Sequence, residues 1–413
     1  MKYIGRILII TMVVMLFVGC GSNSNPVYIP PPSETAETIG DEVVSETPIT
    51  STDVSLLPDD GTPENDVLIE QAAQLILESM TLEEKVGQMF IARCPDKDPI
   101  DKLEAYMPGG YILFSKNFKD KTKDSATDMI QSYQQAARTP MFIAVDEEGG
   151  PVCRISLFPA FRSEPFKSPQ ELYNEGGFDR IVKDTNEKAA LLLSLGVNVN
   201  FAPVSDVSTN SGDYIYDRTF GKNGQDTAEY VKTVVSAMNK AGIGSVMKHF
   251  PGYGNNRDTH TEMTHDKRSY ESFTNNDFLP FSAGIEAGAA CILVSHNIVE
   301  CMDGTNPASL SPSVHKLLRE DLGFDGVIMT DDLYMEAIRE FTGVDKAAIV
   351  AVQAGNDILC CTDFEVQIPA VINAVKSGVI DENRIDESVL RVLKWKIKLG
   401  IVVVPDDKVQ GVG

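Results

Sequence analysis

Cations are scarce in this chain: 36 Lys and Arg stand against 60 Asp and Glu, a formal net charge of −24. Acid on this scale argues against nucleic acid and anionic surfaces as partners. The seven cysteines form no Cys-x-x-Cys pair and no regular disulfide framework. Cys291, Cys360 and Cys361 lie within apolar runs, so buried free thiols are the expectation. Only five histidines occur, and none shows His-Glu-x-x-His spacing. No phosphate loop, dinucleotide fingerprint or basic-aromatic surface is present. Long hydrophobic runs are also missing. The most apolar stretch, 7–18, falls short of the roughly 20 residues that span a bilayer.

That stretch follows Lys2 and Arg6, the pattern of an export leader over residues 1–19. It ends in Gly19-Cys20, which resembles a bacterial lipoprotein cleavage site. A lipid anchor at Cys20 and an extracytoplasmic, membrane-tethered protein are the expectation; an ordinary signal peptide with an incidental Cys is the alternative. Residues 20–66 read as a linker. From 21 to 66 there is no Lys or Arg, while ten acidic residues and seven prolines occur, Pro30-Pro31-Pro32 among them. Such a segment repels itself and buries little, so it is expected to be a disordered, extended stalk.

Residues 67–403 carry the folded part, and 404–413 form a tail. Eight short apolar runs are each followed by Gly, Pro or polar residues: 88–92, 111–114, 142–145, 197–201, 245–249, 291–295, 326–330 and 357–361. Helical patterns at 126–137, 179–195, 227–241, 312–322, 345–354, 366–377 and 387–398 separate or follow them. A further helix over 68–80 opens the domain, and Thr81-x-x-Glu84 reads as a capping box. Repeated strand–helix units at this length predict an α/β fold, a single (β/α)8 TIM-type barrel. A doubly wound sheet is the competing architecture.

In a barrel, polar residues at the C-terminal ends of strands converge on one mouth. The run 245–249 ends in Lys248-His249 and is followed by Phe250-Pro251-Gly252, then by Asp258-Thr259-His260. A carboxylate two residues from an imidazole can fix its tautomer and raise its basicity, as an acid/base requires. The alternative is an Asx-turn beside a surface histidine. Asp331 follows the seventh run, where it could be a carboxylate nucleophile or a helix N-cap, since 332–338 looks helical. A buried Lys248 needs a carboxylate partner, such as Asp206. His265 and His315 have no motif around them and are expected at the surface.

Lys248-His249-Phe250-Pro251-Gly252 with the Asp258-x-His260 loop resembles the signature of bacterial β-N-acetylglucosaminidases in glycoside hydrolase family 3. Two departures stand out: Tyr253 where the family has His, and a loop one residue shorter. Asp146-Glu147-Glu148-Gly149-Gly150-Pro151-Val152-Cys153-Arg154 resembles the family's Asp-x-Glu-Gly-Gly-Arg-Val-x-Arg, with Pro151 in place of the first Arg. Arg218-Thr219-Phe220-Gly221 resembles its Arg-Ser-Phe-Gly. The resemblance, which runs over roughly 81–400, implies Asp331 as nucleophile, with Asp332 as a cap, and the Asp258–His260 dyad as acid/base. It implies sugar binding by Asp146, Arg154, Arg218, Lys248 and His249. The implied reaction is retaining, exo-acting hydrolysis of terminal N-acetylglucosamine from peptidoglycan fragments. A phosphorylase acting on the same glycosides and a non-catalytic sugar-binding lipoprotein are the alternatives. No cofactor or metal is expected, and the oligomeric state stays open.

Overall fold

The computed structural model of the chain describes residues 63–256 and 264–403. The leader, Cys20, most of the linker, the tail, Asp258 and His260 lie outside the described residues.

Eight strands form the centre: β1 (Phe90–Arg93), β2 (Gly110–Leu113), β3 (Phe142–Val145), β4 (Val199–Asn200), β5 (Gly244–Phe250), β6 (Cys291–Val294), β7 (Val327–Thr330) and β8 (Leu359–Cys361). Each pairs in parallel with the next as far as β7, and β8 pairs with β1. A parallel bridge between Met329 and Ile358 joins β7 to β8 and closes the ring. The predicted barrel is therefore present, and every predicted strand coincides with an observed one. The first begins later than expected, because Gln88 still belongs to the preceding helix.

The strands are buried on both sides, which explains their unbroken apolar runs. Ile91, Ile112, Ala144, Val246, Leu293 and Met329 meet inside the barrel. Their neighbours Ala92, Tyr111, Ile143, Met247, Ile292 and Ile328 pack outward under the helices. Those helices, in chain order, are α1 (Pro63–Ser79), α2 (Leu82–Gln88), α3 (Pro99–Tyr106), α4 (Lys123–Ala136), α5 (Pro169–Ser194), α6 (Gly224–Ala241), α7 (Phe278–Glu286), α8 (Pro312–Lys316), α9 (Glu336–Thr342), α10 (Val344–Ala354), α11 (Phe364–Lys376) and α12 (Glu382–Lys398). No helix among the described residues is long and apolar enough to cross a membrane.

The predicted capping box starts α2: Thr81 Oγ1 accepts from Glu84 N, and Thr81 N donates to a Glu84 carboxylate oxygen at 2.8 Å. α1 begins at Pro63, so the last residues assigned to the linker are helical. It is bound to α12 by Lys394–Glu70 (2.7 Å) and Lys398–Asp66 (2.9 Å). α12 also closes the barrel floor. Trp395 lies 4.5 Å from the Phe142 ring, and a Cβ at Gly244 would come within 3.0 Å of both Trp395 and Leu399. Beside it Lys396 is wholly buried, donating to Gln88 Oε1 (2.6 Å) and the Pro140 carbonyl (2.7 Å). Burial without a carboxylate pushes its ammonium down to about 7.

Two expectations need correction. The chain from Asp332 to Met335 is not helical; α9 starts at Glu336, with Met335 at its N-cap. His315 is buried rather than at the surface, its Nδ1 donating to the Ser311 carbonyl at 2.8 Å.

Candidate functional site

A cavity of about 490 Å³ opens at the C-terminal ends of the strands. Asp146 directly follows β3, Lys248 and His249 lie within β5 near its C-terminal end, and Asp331 directly follows β7. Loops after β3 and β4 add Arg154 and Arg218. All six of these sequence-predicted residues line this one cavity.

Its floor is a chain of alternating charges. Lys248, 3% exposed, places Nζ 2.7 Å from Asp146 Oδ1 and 2.6 Å from Glu148 Oε1. Arg218 grips Glu148 with two hydrogen bonds, Nε to Oε2 at 3.0 Å and Nη2 to Oε1 at 2.8 Å. Arg154 Nη2 lies 3.5 Å from Asp146 Oδ2. Burial opposes the charge on Glu148, but Lys248 and Arg218 outweigh it and hold the carboxyl well below its usual range. Burial likewise opposes the Lys248 charge, and Asp146 and Glu148 overcome it, raising the ammonium. Lys248 thus stays cationic between two carboxylates at the wall of the cavity. Its partners are Asp146 and Glu148, not the expected Asp206.

Sequence reasoning passed over Glu148. The two-residue alternation of a strand, continued past β3, puts Asp146 and Glu148 on one side and Glu147 on the other. Glu147 turns inward and accepts from the backbone N–H groups of Arg154 (2.8 Å), Ile155 (2.7 Å) and Ser156 (3.2 Å), and from the Ser156 hydroxyl. Gly149 makes the intervening turn at φ +100°, where a Cβ would strike the Lys167 carbonyl.

Asp206 serves His249. Its Oδ2 accepts from the His249 backbone N–H (3.1 Å) and from Nδ1 (2.7 Å), while Oδ1 accepts from Tyr253 N (2.7 Å). A proton on Nδ1 leaves the lone pair on Nε2, which lies 3.4 Å from Arg218 Nη2. Tyr253 therefore contributes through its backbone, with its ring buried beside His249.

The adjacent carboxylates after β7 have different surroundings. Asp332 accepts from Tyr334 N (2.9 Å), Thr362 N (3.0 Å) and Thr362 Oγ1 (2.5 Å). It caps a turn rather than a helix, and burial raises its pKa. Asp331 Oδ1 accepts from Asp332 N at 2.8 Å, and the side chain lines the cavity. His296 sits behind this pair: Nε2 donates to the Asp332 carbonyl (3.1 Å), and Nδ1 accepts from Ser309 Oγ (2.7 Å). Among the described residues no three His, Cys, Asp or Glu side chains converge as metal ligands do.

The residues flanking 257–263 are tied together. Asn256 donates to Asp266 Oδ2 at 2.6 Å. Arg268 bridges Asp266 (2.8 Å), Asp277 (2.8 Å) and the Gly252 carbonyl (3.0 Å). Residues on either side of 257–263 thus share one ionic cluster.

Comparison with known proteins places this geometry. A β-hexosaminidase of Nitrosomonas eutropha is 35% identical over 273 residues, 64% of this chain and 77% of that one. β-Hexosaminidase A of Pseudoalteromonas piscicida is 30% identical over 325 residues, 72% of this chain, which spans about half (54%) of that relative. Among solved structures, a family 3 β-N-acetylglucosaminidase from a Paenibacillus species superposes with a TM-score of 0.72 at 29% identity, covering 80% of this chain and 67% of that one. A β-N-acetylhexosaminidase from Beutenbergia cavernae gives 0.68 at 25% identity, covering 76% and 98%. The family profile described as "Glycosyl hydrolase family 3 N terminal domain" matches residues 81–395, the whole barrel with its mouth, and the chain belongs to glycosyl hydrolase family 3.

Proposed function

We propose that this glycoside hydrolase is a retaining, exo-acting β-N-acetylglucosaminidase that releases terminal N-acetylglucosamine from peptidoglycan fragments. The observation that carries the reading is the placement of Asp331 on the wall of a cavity floored by Lys248, Asp146 and Glu148. A closed polar floor suits the hydroxyls of a chain-terminal sugar, and a strand-end carboxylate suits attack at its anomeric carbon. The names borne by the relatives above support the choice of sugar. In the first step Asp331 attacks the anomeric carbon while His260, supported by Asp258, protonates the departing oxygen. In the second, His260 removes a proton from water, which displaces Asp331. In the same proposal a lipid on Cys20 holds the enzyme at the outer face of a membrane, and 20–62 supplies the reach.

The test is turnover of aryl β-glycosides of N-acetylglucosamine, glucose and xylose, with and without phosphate. Hydrolysis confined to the first supports the reading. A glycosyl phosphate as main product would replace it with a phosphorylase, and no turnover with a binding protein. In His260→Ala, a dinitrophenyl glycoside should give a burst of leaving group, and azide should restore turnover with a β-glycosyl azide as product. An α-azide would contradict retention with His260 as acid/base.

A further inference from the structure

Arg93 ends β1 and lines the cavity, yet it takes no part in the charge chain of the floor. Its guanidinium lies 4.6 Å from the centroid of the Phe114 ring, over its face. Arg154 lies 5.4 Å from the same centroid. One aromatic side chain at the end of β2 therefore holds two cations at one side of the mouth. Stacking of this kind fixes the plane of a guanidinium while leaving its N–H groups available.

The other cations of the cavity are matched. Lys248 has Asp146 and Glu148, Arg218 has Glu148, and Arg154 has Asp146 at 3.5 Å. Among the described residues Arg93 makes no ion pair. The nearest acid in its field, Asp96, is exposed and bound to Lys116 at 2.5 Å, with Arg93 only a minor influence on it. A second observation points the same way: Arg154 Nε is sealed from solvent and has no hydrogen-bond partner. In a chain of net charge −24, a half-buried, stacked and unmatched arginine beside an unsatisfied N–H is not required by solubility or by the barrel core.

We propose that Arg93, stacked on Phe114, with Arg154 beside it, forms a subsite for a carboxylate carried by the glycan, outside the sugar held on the Lys248 floor. The ligand class is an acidic glycan: a sugar bearing a lactyl or uronic carboxylate next to the terminal residue. A fork of N–H groups meets a carboxylate with two parallel hydrogen bonds, which a neutral hydroxyl cannot reproduce. This inference rests on the hydrolase reading above and narrows its substrate.

The experiment compares two disaccharides under identical conditions. Each has β-linked N-acetylglucosamine on a reducing sugar that carries an O-lactyl group, as the free acid in one and as its methyl ester in the other. Wild type should favour the acid in kcat/KM by about tenfold, the worth of charge-assisted hydrogen bonds. In Arg93→Gln the ratio should fall to near one, and Arg93→Lys should give an intermediate value. A melting curve for each variant shows that the fold is kept. Equal rates for acid and ester in wild type, or an undiminished ratio in Arg93→Gln, would overturn the subsite and leave the hydrolase reading intact. Hydrolysis of neither disaccharide, nor of the aryl N-acetylglucosaminide, would overturn both.

Discussion

Asp206 and His249 are joined twice, once through the His249 backbone N–H at 3.1 Å and once through its imidazole Nδ1 at 2.7 Å, both to the same carboxylate oxygen. One side chain thus sets both the path of β5 at its end and the tautomer of the imidazole facing the cavity. Asp206→Ala should lower kcat/KM on the order of 10- to 100-fold, the range for one or two charge-assisted hydrogen bonds. It should also lower the melting temperature, because the N–H groups of His249 and Tyr253 lose their acceptor. Unchanged kinetics would show that the orientation of His249 is immaterial.

Glu148→Gln keeps the shape of the floor but leaves Lys248 and Arg218 without their shared anion. The expected loss is about 3 kcal/mol of stability at neutral pH, as for a buried pair that loses one partner. The pH dependence has a definite sign. A carboxyl held low in the folded state contributes stability above its ordinary range and loses it as pH falls through and below that range. The gap in unfolding free energy between wild type and variant should therefore narrow from pH 7 towards pH 3. A gap that is constant across those pH values would place the Glu148 contribution in packing.

Asp331 and Asp332 should separate cleanly. Asp331→Ala removes the proposed attacking group, and kcat should fall by on the order of 10³-fold or more with little change in melting. Asp332→Ala leaves Thr362 and the Tyr334 N–H without their acceptor, so its main effect should be a loss of about 1–3 kcal/mol in stability. The reverse pattern, read by paired kinetic and thermal measurements, would exchange their roles.

Lys396 gives a test remote from the mouth. The unfolded chain holds its proton to about pH 10, while the folded chain releases it at about 7. Between those values the unfolded state binds more protons, so stability from this group rises with pH, by up to about 1.4 kcal/mol per unit. Lys396→Met should melt above wild type near pH 6, and the difference should shrink towards pH 10. A difference independent of pH would mean that Lys396 keeps an ordinary affinity for its proton.

The barrel was legible because its strands are buried on both faces, so each appears as an uninterrupted apolar run ending in polar residues. Helices were less uniform. α3 buries only Leu103, and its N-cap residue Asp98 has a left-handed backbone, so the stretch shows no periodic face. The segment 270–286 contains a π-turn at Phe273–Asp277 and Pro280, which break the 3.6-residue spacing of its buried aromatics. At the site, strand-end position located Asp146, Lys248, His249 and Asp331. Pairings were not legible: which acid serves Lys248 depends on how far β3, β4 and β5 project, and spacing along one strand does not encode that.

The bond between Asp66 and Lys398 has a directional consequence. It fixes the start of α1 to the end of α12, the helix whose Trp395 and Leu399 plug the barrel. The polypeptide therefore joins the catalyst at its closed pole, and the opening faces the other way. A solid support coupled at α1 itself would sit on the side away from the cavity, leaving the working face open to an insoluble polymer.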